Sequence, residues 1–293
     1  MKKISSLIVT VFVVSIMNVQ AQGIEVGIKG GLTIPKIGSG GTDTPLSEGY
    51  SSIMAWGGGA FVDFQITKTF SIQTGLEYIQ EGGQKNGVQA LPAQKIYAAT
   101  RFMNPAFADL EQFLPSDYIY ADFKSVAHFN YLMLPVQAKF GWDLSQNSLF
   151  RFYASGGIFA SYLLSAEQVS KGTFPPFYAD TDKGSLSAWA AAHTPGFDML
   201  PAMQQAMIRD GIDDFATTPR SVDSKDPITP DLRRINFGFI AAIGLSYQIA
   251  PKHKVLIEAG GNYGLIKLQK NPLLNGENCI GAASIMLGYA VGI

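Results

Sequence analysis

Hydrophobic and polar residues alternate along residues 61–78, FVDFQITKTFSIQTGLEY. Before the break, Ala60, Val62, Phe64 and Ile66 share one face, and Phe61, Asp63 and Gln65 share the other. After it, Phe70, Ile72, Thr74, Leu76 and Tyr78 oppose Ser71, Gln73, Gly75 and Glu77. Side chains of a strand alternate between its two faces, so this stretch predicts a tight hairpin with one oily and one wet side. The same alternation recurs and predicts eight strands, at about 23–34, 53–66, 69–83, 125–141, 149–165, 234–249, 254–268 and 279–293. Pro135 falls inside the fourth. A closed barrel has no edge strand to hold a proline, so a bulge or local break is expected there.

The connections decide which way the oily face points. Short ones (67–69, 143–148, 250–254) alternate with long ones (35–52, 84–124, 166–233, 269–278). Short turns at one end and long loops at the other describe an outer-membrane barrel, with the turns on the periplasmic side. Loops this long are uncommon in compact soluble domains. The prediction is an all-β, eight-stranded antiparallel up-and-down transmembrane barrel, oily face to lipid, with long, partly helical extracellular loops. Tyr78, Trp142, Phe150 and Tyr247 suit its interfacial girdles. A soluble lipocalin-like barrel, oil inward, is the rival.

Composition agrees. Charged residues make up 15% of the chain against a usual share of about 25%. The mean hydropathy is only mildly positive, as expected when half of each strand faces a lumen. A net charge of −1 gives no electrostatic case for a nucleic-acid partner. Residues 1–21 read as a signal peptide: Lys2 and Lys3, an apolar run over 4–17, and small residues Val19 and Ala21 before the cleavage point. The barrel then occupies 22–293. Cys279, alone, forms no intramolecular disulfide and reads as a small buried or lipid-facing residue.

Several strand segments resemble the PorT-type outer-membrane β-barrel family of Gram-negative bacteria. They are GIKGGLTIPKI (27–37), FSIQTGLEYIQEGGQK (70–85), YLMLPVQAKFGW (131–142), FYASGGIFASYLL (152–164), INFGFIAAIGLSYQI (235–249), VLIEAGGNYGLIKL (255–268) and SIMLGYAVGI (284–293). The Tyr-Leu-x-x-Pro stretch at 131–135 is the most specific of them. The chain departs from the pattern at 259–262, where relatives often carry an arginine, and at Ile293, where an aromatic is common. The resemblance implies an eight-stranded barrel in the outer membrane, in a family whose founding member is associated with secretion.

Candidate chemistry lies in the lumen and the loops. Strand parity sends Glu25, Lys29, Asp63, Glu77, Lys139, Arg151 and Glu258 inward. An eight-stranded barrel is just wide enough for side chains to fill, so these predict a structural ion network, with a narrow gated ion path as the alternative. Asp122, Ser125 and His128 are close in sequence, but parity puts Ser125 and His128 on opposite faces. His193, with Ser185 and Ser187 nearby, and His253 read as solvated. No metal-ligand spacing or cofactor motif appears, and Gly57–Gly59 lies within a strand rather than in a phosphate loop. Asn104 and Pro105 are placed to start a short helix, and 199–211 has helical spacing with Gly211 as its stop. Phe107, Phe113, Trp189, Phe197, Met199, Met203 and Met207 form a candidate loop interface. The expected role is a non-enzymatic interaction or scaffold subunit of a cell-envelope assembly, of the secretion or uptake kind. A transport barrel and a surface lipid- or peptide-modifying enzyme are the alternatives. Expected partners are outer-membrane lipids, lipopolysaccharide and an envelope protein.

Overall fold

The computed structural model describes residues 23–39, 44–145, 148–171, 173–174, 176–218, 220–221 and 224–293. The expected signal peptide lies outside these. Eight long strands form a ring: β1 (Gly23–Ser39), β2 (Ala55–Gln65), β3 (Phe70–Pro92), β4 (Tyr118–Asp143), β5 (Phe150–Lys171), β6 (Ile235–Ala250), β7 (His253–Gly264) and β8 (Asn278–Gly292). Neighbours in sequence pair antiparallel, and β1 with β8 closes the ring. Closure leaves no edge, the condition for a sheet to cross hydrocarbon.

The alternation sorts as a membrane barrel requires. Ile28, Leu32, Leu134, Phe239, Ile285 and Leu287 stand on the outside, each more than half exposed. Their inward neighbours Lys29, Thr33, Met133, Ser284 and Met286 belong to the interior. Trp142, Phe150 and Tyr247 flank the turn end, where Phe150 packs on Tyr247 at 4.6 Å. At the loop end Tyr78 packs on Trp56 at 5.0 Å.

Pro135 interrupts the ladder. The β3–β4 pairing skips Gly75 and Leu76 opposite Leu134 and Pro135, then resumes in the same register. Proline has no N–H to give, and the Thr74 hydroxyl donates to its carbonyl at 2.8 Å. A bulge lies nearby, on the β5 side, between Asn130 and Tyr131.

Three strands run far past the membrane. A lipid-facing band takes about 9–11 residues of a tilted strand, whereas β3, β4 and β5 have 23, 26 and 22. The expected loops 84–124 and 166–233 are therefore partly strand: the turn between β3 and β4 occupies only 93–117. Above the bilayer the outer face meets water, and Asn86, Asp122 and Lys124 occupy it. The oil-out alternation that marks the spanning segment stops there, although the strand continues. The loops also contain helices α1 (Ala93–Met103), α2 (Ala108–Glu111), α3 (Leu186–His193), α4 (Ala202–Thr217) and α5 (Pro272–Asn275), and short segments at 177–178 and 224–227 that pair with β4 and β5. Asn104 caps a 3-10 turn, Pro105–Phe107, by accepting from the Ala106 N–H at 3.2 Å. Gly211 does not stop α4. The helix continues to Thr217, and Gly211 makes room for Leu110, which a Cβ would meet at 2.8 Å.

Leu287, near mid-strand and 64% exposed, is expected to cost about 2–4 kcal/mol of folding free energy when changed to Arg. Ile249, beside a turn, should cost about 0–1 kcal/mol on the same change. Equilibrium urea unfolding in lipid vesicles measures both, and equal costs would contradict the membrane placement.

Candidate functional site

The lumen is organised around Lys29. Its ammonium lies 2.9 Å from Glu258 Oε1 and 3.1 Å from Glu77 Oε1, the second contact off-axis for a hydrogen bond. All three side chains are buried. The strand register explains how charges from β1, β3 and β7 meet. Gly59 of β2 stands directly between Lys29 and Glu77. A Cβ there would press on the β3 backbone, 2.2 Å from the Leu76 carbonyl oxygen. Gly288 of β8 flanks Lys29 on its other side and leaves room for Leu256. Gly59 thus leaves the gap across β2, while Glu258 lies diagonally across β8, in the row of Met286.

The network continues toward the turns. The Tyr153 hydroxyl donates to Glu258 Oε2 at 3.2 Å, and Lys139 sits 4.2 Å above the Tyr153 ring. Lys139 pairs with Asp63 at 2.9 Å and donates to Gln73 at 3.1 Å. Glu25 accepts from Gln65 at 2.6 Å and pairs with Lys254. Arg151 is at the rim, 3.4 Å from Asp143, and donates to the carbonyls of Lys68 and Gly141. A small vestibule of about 30 Å³, lined by Glu25, Asp63, Lys139, Arg151 and Lys254, opens at this end. Above the network, Ile37, Phe129, Tyr131, Leu163, Leu232, Leu268 and Ile280 pack into an apolar plug. Six of the seven residues assigned inward from parity thus line the lumen, and Arg151 stands at its rim. Reasoning from sequence missed Glu81, which is 3% exposed. It shares the parity of Glu77, so extending the inward series by four residues finds it.

The loops make a second core. Tyr97, Phe107, Ile119, Phe177, Leu186, Ile212 and Phe215 pack together against the inner face of the tall β4 wall. Phe107 and Phe215 rings are 4.6 Å apart. Tyr97 donates to the Pro115 carbonyl at 2.8 Å, and burial pushes its pKa up. Of the candidate interface, Phe107 and Phe197 are therefore interior, not surface, at 3% and 2% exposure. Large aromatic rings beside a forming core bury there because that removes the most apolar area from water. Phe113 is partly buried against Phe197, and Trp189 stacks on His193 at 4.5 Å. Met199, Met203 and Met207 are exposed.

The serine–histidine groupings do not converge. Ser125 points inward to Gln89 at 3.2 Å. Asp122 faces out to Lys183 at 2.7 Å, and His128 is also on the outer face. Ser185 and Ser187 bond each other at 2.9 Å, and His253 meets the Tyr289 hydroxyl at 2.5 Å. Among the described residues no three His, Cys, Asp or Glu side chains group as metal ligands. Cys279 is buried near the start of β8.

A family profile described as "outer membrane protein beta-barrel domain" matches residues 20–270. No curated protein matches the sequence. Among solved structures, Neisserial surface protein A aligns at 12% identity and TM-score 0.37, covering 92% of this chain and 96% of that one. Ail, the attachment invasion locus protein of Yersinia pestis, aligns at 9% and 0.33, covering 92% and 98%. The Escherichia coli outer membrane protease OmpT aligns at 10% and 0.41, covering 94% and 98%. Similarities this distant carry no argument about activity.

Lys29→Met leaves Glu77 and Glu258 buried without their cation and is expected to cost about 3–5 kcal/mol. Adding Glu77→Gln and Glu258→Gln should recover most of it. Urea unfolding of the single and triple variants tests this, and a triple variant no better than the single one would refute the pairing. Lys85, above the bilayer, donates to the Leu46 carbonyl at 2.8 Å, and burial lowers its pKa to about 8. A lysine with a depressed folded pKa binds fewer protons folded than unfolded, so its penalty is full below pH 8. It is relieved as pH rises from about 8 toward the unfolded value near 10.4. Hydrogen exchange at 44–51, corrected for intrinsic rates, should slow across that window, and Lys85→Met should flatten the dependence.

Proposed function

We propose that this chain, which belongs to the outer membrane protein beta-barrel domain family, is a non-enzymatic interaction subunit of a cell-envelope assembly, working through its extracellular cap. The observation that carries this is the cap's construction. It has its own apolar core, yet leaves Met199, Met203 and Met207 outside it. Exposed large apolar side chains on an ordered element are what a protein partner uses. The filled lumen supports this reading over transport: a conducting path would have to pass the Lys29 network and the plug of Phe129, Leu163 and Ile280. The dispersed serines and histidines support it over surface hydrolysis, since a nucleophile needs its base within hydrogen-bond reach.

The finer family reading is PorT-type, on the strand segments quoted above, which favours an assembly of the secretion or uptake kind. In this reading residues 1–21 direct export and are removed after Ala21. The lipid-facing wall contacts outer-membrane lipids, and the rim of the cap contacts lipopolysaccharide.

An affinity tag placed in the 144–149 turn allows purification from native envelopes in mild detergent. A stoichiometric protein is expected to accompany the barrel. Replacing residues 186–218 by a flexible linker should release it while the barrel keeps its heat-modifiable gel mobility. Planar bilayers should stay silent. A barrel that emerges alone, or one that conducts, would overturn the proposal.

A further inference from the structure

Helix α4 is held by its inner side. Ile212, Phe215 and Ala216 are buried in the cap core, which fixes what the outer side presents. Met203 and Met207 are four residues apart and therefore neighbours on that side; they are 76% and 64% exposed, with Met199 just before the helix at 85%. The same stripe continues through Asp210 to Asp214, with Asp213 beside it. A helix C-terminus carries the negative end of the macrodipole and favours cations. Here the last turn has no basic residue, and Asp214 stands in it with Asp213 just before. Among the described residues none of the three is in an ion pair, and Arg209, their neighbour, is stacked over the Phe197 ring at 5.5 Å. Both halves of the stripe are thus unfavourable in the isolated protein, one exposing thioethers to water and the other opposing the helix dipole. One occupant relieves both.

We infer that this stripe is the docking face for a basic amphipathic helix of a protein partner, its apolar side chains on the methionines and its lysines or arginines on Asp210, Asp213 and Asp214. Methionine's flexible, polarisable side chain accommodates an apolar helix face without a preformed pocket. The charge selects against the other surface at hand: the outer leaflet is anionic and is repelled by the three carboxylates. This rests on the assembly reading above and names the face and the partner chemistry within it.

The probe is a short fluorescent helix of leucine and lysine, titrated by anisotropy against the full barrel in phosphatidylcholine nanodiscs. Empty nanodiscs and a leucine–glutamate helix are the controls. The basic helix should bind barrel discs at least about 10-fold tighter than empty ones, and added salt should weaken it. The triple variant Asp210→Asn, Asp213→Asn, Asp214→Asn and the double variant Met203→Gln, Met207→Gln should each weaken binding about 10-fold. The Asn variant should melt no lower than the parent, because it removes charges that oppose the dipole; a purely structural role predicts lower melting. Equal binding to empty discs, equal binding of the acidic helix, or indifference to both variants overturns the inference. The same variants go through the detergent co-purification. A partner retained by both variants refutes this face and leaves the assembly reading standing. No partner with the parent protein refutes the assembly reading, and the peptide titration still decides the face.

Discussion

In hydrocarbon a backbone N–H or C=O without a partner costs several kcal/mol, and no water is present to supply one. That constraint governs this protein. It forces β1 onto β8 so that the sheet has no edge. It also makes Pro135 a point of real cost in the wall. The break there is short, spanning Gly75–Leu76 opposite Leu134–Pro135, and the register on either side is kept. The Thr74 hydroxyl satisfies the Pro135 carbonyl within the break.

Closure at eight strands leaves a lumen only wide enough for side chains. Polar residues deep in it are cut off from bulk water and pair with one another. Lys29 is placed between two carboxylates, and Lys139 between Asp63, Gln73 and the Tyr153 ring. Such pairs are weak sources of net stability, because desolvating the ions offsets much of the attraction between them. Their consequence is specificity. A slip of β2 that brought Ala60 or Phe61 to the place of Gly59 would put a side chain between Lys29 and Glu77. The ion network thus reports on the register of the ring.

Above the bilayer the rules change. Water returns, and with it the hydrophobic drive that is absent between lipid-facing surfaces. The long connections carry enough Phe, Tyr, Leu and Ile to form a core of their own, and the extended β3–β4–β5 wall gives that core a rigid backing. Burying Phe107 and Phe197 there leaves the methionines of α4 outside.

Alternation along the chain was enough to count the strands, orient their faces and send seven charged residues inward, because period-two patterning is a local property that lipid on one side enforces. The short turns and the capping by Asn104 were local too. Where the outer face of β3, β4 and β5 leaves lipid for water, the pattern fades, and the true strand ends at Pro92, Tyr118 and Lys171 were not legible. Nor was the run of α4 through Gly211, which depends on Leu110 arriving from another loop. Which aromatics lie inside the cap and which methionines remain outside was decided only by packing between segments about a hundred residues apart. Whether Lys29 meets Glu77 and Glu258 depends on four strand registers and on Gly59 acting together, and no single stretch of sequence contains that information.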